Sequence, residues 1–167
     1  ATVLGLIQGG AGVLLGPPFP DPGFRVLQAT QGRTPVIFSG STEPALADTT
    51  ELSYLVAFND TQGASAAAQF AKSRNWRTAV TLSSPGPYFG YNVRVFTAAF
   101  TGTGGQVLAD LPFIPVEQTD FADAVAQIAQ NPPDMIYTPM LAEQLVALKG
   151  QLEKAGLDDV ELVGSDA

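Results

Sequence analysis

Short apolar runs alternate with amphipathic stretches along the whole chain. Six runs have the length and the closing turn residues of buried strands. They span residues 12–16, 34–38, 77–83, 106–113, 134–138 and 160–164. Because the stretches between them repeat apolar residues at helical spacing, the pattern predicts an open α/β sheet of parallel strands.

Boundary residues indicate where the helices begin and end. An alanine-rich helix is predicted over roughly 61–74, after Asn59 and Asp60, which are good N-cap residues. The glycine-rich stretches at 9–12 and 102–105 each follow a helical pattern and precede a strand. A dinucleotide-binding loop has the reverse order, so we interpret both as turns that end helices.

Residues 47–59 show no helical periodicity. They join a first α/β piece to a longer second one. We therefore interpret them as a segment that crosses between two lobes. In open parallel sheets, ligands bind beyond the carboxyl ends of the strands. The loops that follow the predicted strands are therefore where a site is expected.

The amino-acid composition excludes many kinds of catalytic and metal-binding site. The chain has no cysteine and no histidine, which excludes disulfides, thiol nucleophiles, thiolate or imidazole metal sites and histidine-based triads. Its net charge of −8, with dispersed basic residues, argues against a nucleic-acid partner. No apolar run approaches the roughly 18 residues of a spanning helix, and the first residues lack the basic region of a signal peptide.

The sequence PVIFSGSTEP, residues 35–44, combines a strand with glycine and hydroxyl residues. Three interpretations are open. Ser39 or Ser41 could be a nucleophile, although no base stands at an indicative spacing. Ser41 or Thr42 could cap a helix that starts at Pro44. The hydroxyls and free backbone N–H groups could also bind a small carboxylate, which is the interpretation we favour.

Two further features have open interpretations. The loop SSPGPYFGYN, residues 83–92, carries three aromatic residues that could stack on a ligand or anchor the following helix in the core. The acidic pairs Asp158/Asp159 and Asp120/Asp123 are typical of a solvated turn and a helix start rather than a metal site.

In their order, the segments PVIFSGSTEPAL, YLVAFNDTQGASAAAQFA, TAVTLSSPGPYFGYN, TDFADAVAQI and LVGSDA resemble type I periplasmic solute-binding proteins. More narrowly, they resemble the branched-chain amino-acid (Leu/Ile/Val) binding group of ABC transporters. The resemblance covers nearly the full length. It implies open parallel three-layer α/β sheets in two lobes that close on a ligand between them.

The resemblance also implies a division of the chain. Residues 1–52 would form part of lobe one, 53–60 a crossing hinge segment and 61–167 most of lobe two. Complete members of the family are longer. We therefore expect this chain to be an internal segment with an incomplete first lobe.

Site residues can be carried over from the family position by position. The residues that would bind a carboxylate in lobe one fall on Gly40, Ser41 and Thr42. The family usually has a serine in the loop after Gly16-Pro17, where this chain has Phe19 and Pro20. Since proline offers neither hydroxyl nor N–H, Phe19 would contact an apolar or aromatic part of the ligand instead.

In lobe two, the resemblance implies that Tyr88 and Phe89 form an aromatic wall and that Asp166 receives a ligand amine. Met140 would line an apolar side of the cleft and adapt to the ligand's shape. No catalytic residue, cofactor or metal is expected.

The expected function is that of the extracytoplasmic, periplasmic binding component of an ABC uptake system. It would capture an amino acid or a related aromatic or aliphatic carboxylate and deliver it to a membrane permease. A ligand-sensing domain of the same fold, for aromatic acids or amides, is the first alternative. A small α/β hydrolase is the second.

Overall fold

The computed structural model describes residues 2–166, in which seven helices and seven strands follow one another. The chain divides into two compact units between Gln62 and Gly63. All strand pairs are parallel, as the sequence predicts. None of the helices within the described range is long and apolar enough to cross a membrane.

The first unit is a three-stranded sheet with short helices. Its elements are α1 (Val3–Gln8), β1 (Leu14–Leu15), α2 (Pro20–Thr30), β2 (Val36–Phe38), α3 (Pro44–Asp48) and β3 (Ser53–Leu55). The strand order is β1-β2-β3, which places β2 at the centre. Its core consists of Leu14, Leu27, Val36, Phe38 and Leu46, all buried.

The second unit is a four-stranded sheet covered by longer helices. Its elements are α4 (Asp60–Ser73), which starts just before the boundary, β4 (Thr78–Ser83), α5 (Phe89–Gly102), β5 (Gln106–Pro112), α6 (Ala122–Gln130), β6 (Met135–Tyr137), α7 (Ala142–Lys154) and β7 (Glu161–Val163). The strand order is β5-β4-β6-β7.

Successive residues of a strand point to opposite sides of its sheet. In this second sheet both sides are apolar, and helices cover both. In β6, Ile136 lies in a core with Leu148 of α7 and Ile128 of α6. Met135 and Tyr137, its neighbours, lie in a separate core with residues of α4 and α5. The unit therefore has the predicted three layers.

The turns predicted at 9–12 and 102–105 are confirmed. Gly104 follows α5 with φ +92°, and Gly156 follows α7 with φ +73°. These are left-handed conformations that glycine adopts without steric cost, which explains why both helices end where they do. Residues 9–12 likewise follow α1 and precede β1.

The segment predicted to cross between lobes has structure of its own. Residues 53–55 form β3, which pairs with β2 as Val36↔Ser53, Ile37↔Tyr54 and Phe38↔Leu55. Three residues are too short a strand for a sequence pattern to separate from a loop. The division into lobes at 53–60 remains a prediction.

Candidate functional site

Two groups of predicted site residues lie just after strands, one in each unit, and each is described by itself. In the first unit the residues follow β1 and β2. In the second they follow β4, β6 and β7. In both units they stand at the carboxyl ends of parallel strands, where open α/β sheets bind ligands.

Ser41 is the most unusual residue of the first group. Its side chain is 1% exposed, and its Oγ has no hydrogen-bond partner within residues 2–166. Leaving a buried hydroxyl unpaired costs about 1–3 kcal/mol. Such groups call for an explanation, and a ligand or water molecule that bonds to Ser41 would provide one.

Thr42 is bonded twice to the start of α4. Its hydroxyl donates to Asp60 Oδ1 at 2.6 Å. The Asp60 N–H in turn donates to the Thr42 carbonyl oxygen at 2.8 Å. These bonds connect residues 18 positions apart and fix the loop after β2 to Asp60 within the first unit.

Asp60 was predicted only as an N-cap residue, not as part of a site. Its position is set by a reciprocal cap, in which Gln62 N–H donates to Asn59 Oδ1 at 2.9 Å and Asn59 N–H donates to Gln62 Oε1 at 3.0 Å. The sequence signal for this cap is the spacing of Asn59 and Gln62. Nothing in it indicates the bond to Thr42.

The interpretation of Ser41 or Thr42 as a helix cap is wrong. The N-cap of α3 is Glu43, whose carboxylate accepts from Ala45 N–H at 3.1 Å. Pro44 is the first helical residue, as predicted. The N-cap must directly precede it, so the two hydroxyls lie outside the capping position.

Phe19 and Gly40 lie on the loops that follow β1 and β2. Phe19 is the N-cap of α2 and is 68% exposed, a large apolar side chain without cover. A Cβ on Gly40 would lie 3.2 Å from Pro18 Cβ. Glycine therefore lets the two loops approach closely, and together they bring Phe19, Gly40, Ser41 and Thr42 to one end of the first sheet.

In the second unit, Tyr88 and Asp166 are joined directly. The Tyr88 hydroxyl donates to Asp166 Oδ1 at 3.0 Å and lies 2.6 Å from Ser165 Oγ. Tyr88 is the N-cap of α5, and Asp166 follows β7. The structure thus brings together two predicted residues, and it adds Ser165, which the sequence interpretation missed.

Phe89 and Met140 belong to the core of the second unit. Phe89 is half-buried and packs edge-to-face on Phe113, with ring centroids 5.6 Å apart. It anchors α5, one of the two interpretations left open. Met140 was expected to line the cleft, but its side chain is completely buried in the core that includes Leu148. Tertiary packing turns it inward.

The acidic pairs lie where the sequence predicts them, Asp120/Asp123 at the start of α6 and Asp158/Asp159 in an exposed turn. Asp120 accepts from Ala122 N–H at 3.0 Å at the start of α6. Across residues 2–166, no three acidic side chains lie close enough to hold a metal ion.

Comparison with known proteins identifies the family. A family model described as periplasmic binding protein matches residues 3–167. The chain belongs to the periplasmic binding protein family. Its fold is the type I fold of that family, shared with solved structures at TM-scores of about 0.8. Both the predicted family and the predicted fold are confirmed.

Three solved structures illustrate the likeness. An ABC-transporter solute-binding protein from R. palustris, in complex with 4-hydroxybenzoate, is 21% identical, with a TM-score of 0.82. A leucine binding protein from Thermotoga maritima is 19% identical, with a TM-score of 0.82. A leucine-, isoleucine-, valine-, threonine- and alanine-binding protein from Brucella ovis, in a closed conformation, is 17% identical, with a TM-score of 0.81.

These matches cover 96–97% of this chain but only 44–47% of the solved proteins. The chain therefore spans less than half the length of the structures that it resembles. A search of curated proteins found no significant match.

Proposed function

We propose that the protein is the solute-binding component of an ABC uptake system, located outside the cytoplasm, and that it binds a small carboxylate. The proposal is carried by the Ser41 hydroxyl, which is buried and unpaired among residues 2–166, in a chain of the periplasmic binding protein family. Solved relatives of the same fold are described as binding leucine or 4-hydroxybenzoate. Amino acids and aromatic acids are therefore the ligand classes to test.

Each group of side chains has chemistry that suits such a ligand. In the first unit, Ser41 would donate to a carboxylate oxygen, and the exposed ring of Phe19 would contact apolar atoms. In the second unit, Asp166 and the Tyr88 hydroxyl would bind an ammonium or hydroxyl group.

In this proposal the protein binds and releases its ligand unchanged, and a membrane permease receives it. Two-lobed capture with a crossing segment at 53–60 stays the prediction made from the sequence. Turnover of simple esters or amides would contradict the proposal and favour a hydrolase.

Thermal shift is the first test, because a ligand that binds only the folded state raises the melting temperature. The panel is leucine, benzoate and 4-hydroxybenzoate, and at least one should raise it. Ser41→Ala should weaken binding about tenfold, as expected for loss of a hydrogen bond to a charged group. Ser39→Ala, on the exposed neighbour, is the matched control and should bind normally. No rise with any compound would overturn the proposal.

A further inference from the structure

Asp60 and Thr42 form a buried hydrogen-bonded pair at the loop after β2. The Asp60 side chain is 1% exposed and that of Thr42 is 6% exposed, so their 2.6 Å bond is shielded from water. The second bond, from Asp60 N–H to the Thr42 carbonyl oxygen, keeps the two residues in register. The pair is therefore a constrained unit rather than two side chains that rotate freely.

A hydroxyl group has one proton and two lone pairs. The Thr42 proton is directed at Asp60 Oδ1, so Thr42 Oγ1 can offer only lone pairs to another molecule. Ser41 differs, because its Oγ has no partner within residues 2–166 and its proton is available. The two adjacent hydroxyls thus differ, because Ser41 can still donate whereas Thr42 can only accept.

We infer that Asp60 is a specificity-determining residue that acts by making Thr42 a hydrogen-bond acceptor. The loop then selects small ligands that carry both a carboxylate and a donor such as an ammonium or hydroxyl group. Ser41 donates to the carboxylate, and Thr42 accepts from the donor. This inference rests on the proposed function, because it requires the ligand to bind at the loop after β2.

A carboxylate that lacks the donor is disfavoured at this loop. It would place an acceptor, or nothing, opposite the lone pairs of Thr42 Oγ1. A site built to bond a donor rejects the analogue without it, since its buried polar group is left unpaired. Asp60 acts through its bond to Thr42, so in this inference it is a positioning residue.

The test compares ligands that differ only by the donor. Isothermal titration calorimetry would measure the Kd of leucine against 4-methylpentanoate, and of 4-hydroxybenzoate against benzoate. In the pair that binds, the donor-bearing member should be preferred about tenfold or more. The preference itself sums every contact that the ligand makes, so the measured quantity is how the ratio of the two Kd values changes in variants of the first unit.

Asp60→Asn should reduce the preference several-fold. Its amide can donate to Thr42 Oγ1, which frees the threonine proton to bond a plain carboxylate. Thr42→Val should also reduce it, whereas Thr42→Ser should retain it. A general loss of stability affects both ligands of a pair alike, so it leaves the ratio of their Kd values unchanged. If Asp60→Asn does not fold, the two Thr42 variants provide the same comparison.

The outcomes separate the two proposals. If none of the four acids binds, the proposed function fails and the inference fails with it. If acids bind but Asp60→Asn and Thr42→Val leave the ratio unchanged, the inference is overturned while the proposed function stands. A reduced ratio in both variants, with the ratio retained in Thr42→Ser, supports both.

Discussion

Asp134 and Thr78 exchange hydrogen bonds in both directions. Asp134 Oδ2 accepts from the Thr78 N–H at 2.8 Å and from its hydroxyl at 2.9 Å, and the Asp134 N–H donates to Thr78 Oγ1 at 2.9 Å. The Arg77 N–H adds a bond of 2.7 Å. Asp134 precedes β6 and Thr78 begins β4, so the exchange ties together the starts of two paired strands.

This arrangement predicts a pH-dependent effect of Asp134→Asn. The backbone N–H of Arg77, with smaller contributions from Thr78, lowers the pKa of Asp134, although burial opposes the shift. A lowered pKa adds stability above the unfolded pKa of about 4, and this stability is lost as the pH falls through the folded value. The carboxylate is exposed, so we expect a loss of only about 1 kcal/mol at pH 7.

Urea unfolding at pH 7 and at pH 2–3 would measure the effect. The difference in unfolding free energy between wild type and Asp134→Asn should become smaller as the pH falls. Asp159→Asn, in an exposed turn, is the matched control and should show little change at either pH. An equal loss at both pH values would contradict this assignment of the stabilising charge.

The bond between Tyr88 and Asp166 predicts energetic coupling. Tyr88→Phe keeps the edge-to-face contact with Phe89, at 5.2 Å between ring centroids, and removes only the hydroxyl. A double-mutant cycle with Asp166→Ala should give a coupling of about 0.5 kcal/mol, small because Asp166 is exposed. The cycle uses unfolding free energies. Additive losses would show that the bond contributes nothing to stability.

Substitution of Gln144 should cause a larger loss of stability, centred on the loop after β5. Its amide is 2% exposed, accepts from Val116 N–H at 3.1 Å, and donates to the carbonyl oxygens of Ile114 and Gln118 at 3.0 and 2.8 Å. Gln144→Ala removes the partner of all three backbone groups, so we expect a loss of about 2 kcal/mol.

Hydrogen exchange should also become faster in the loop after β5, because Gln144 bonds three of its backbone groups. The matched control is Gln127→Ala on the exposed face of α6, which should change stability by no more than about 0.5 kcal/mol. Equal effects of the two glutamine variants would contradict the role of Gln144.

Two glycines near the end of α5 should respond oppositely to alanine. A Cβ on Gly105 would lie 2.5 Å from the ring of Phe100, which is completely buried and stacks on Phe96. Gly105→Ala should therefore cost about 1–3 kcal/mol. Gly102, the last residue of α5, faces open space, so Gly102→Ala should be neutral or stabilising by up to about 1 kcal/mol. Melting temperatures would decide, and a tolerated Gly105→Ala would contradict the packing.

Most of the fold could be predicted because its signals are local. The apolar runs became strands, the spacing of residues such as Val125 and Ile128 became α6, and Gly104 and Gly156 ended their helices. The exception is β3, which has only three residues and is specified by its pairing with β2 rather than by its own pattern.

For the site, the sequence by itself determined which residues stand after the strands, because strand ends and turns are read along the chain. Only the tertiary structure decided what those side chains contact. It placed Asp60 against Thr42 across 18 positions, turned Met140 into the core and left the Ser41 hydroxyl buried with no hydrogen-bond partner among the described residues. Contacts between distant residues depend on how the elements pack, and local spacing does not encode packing.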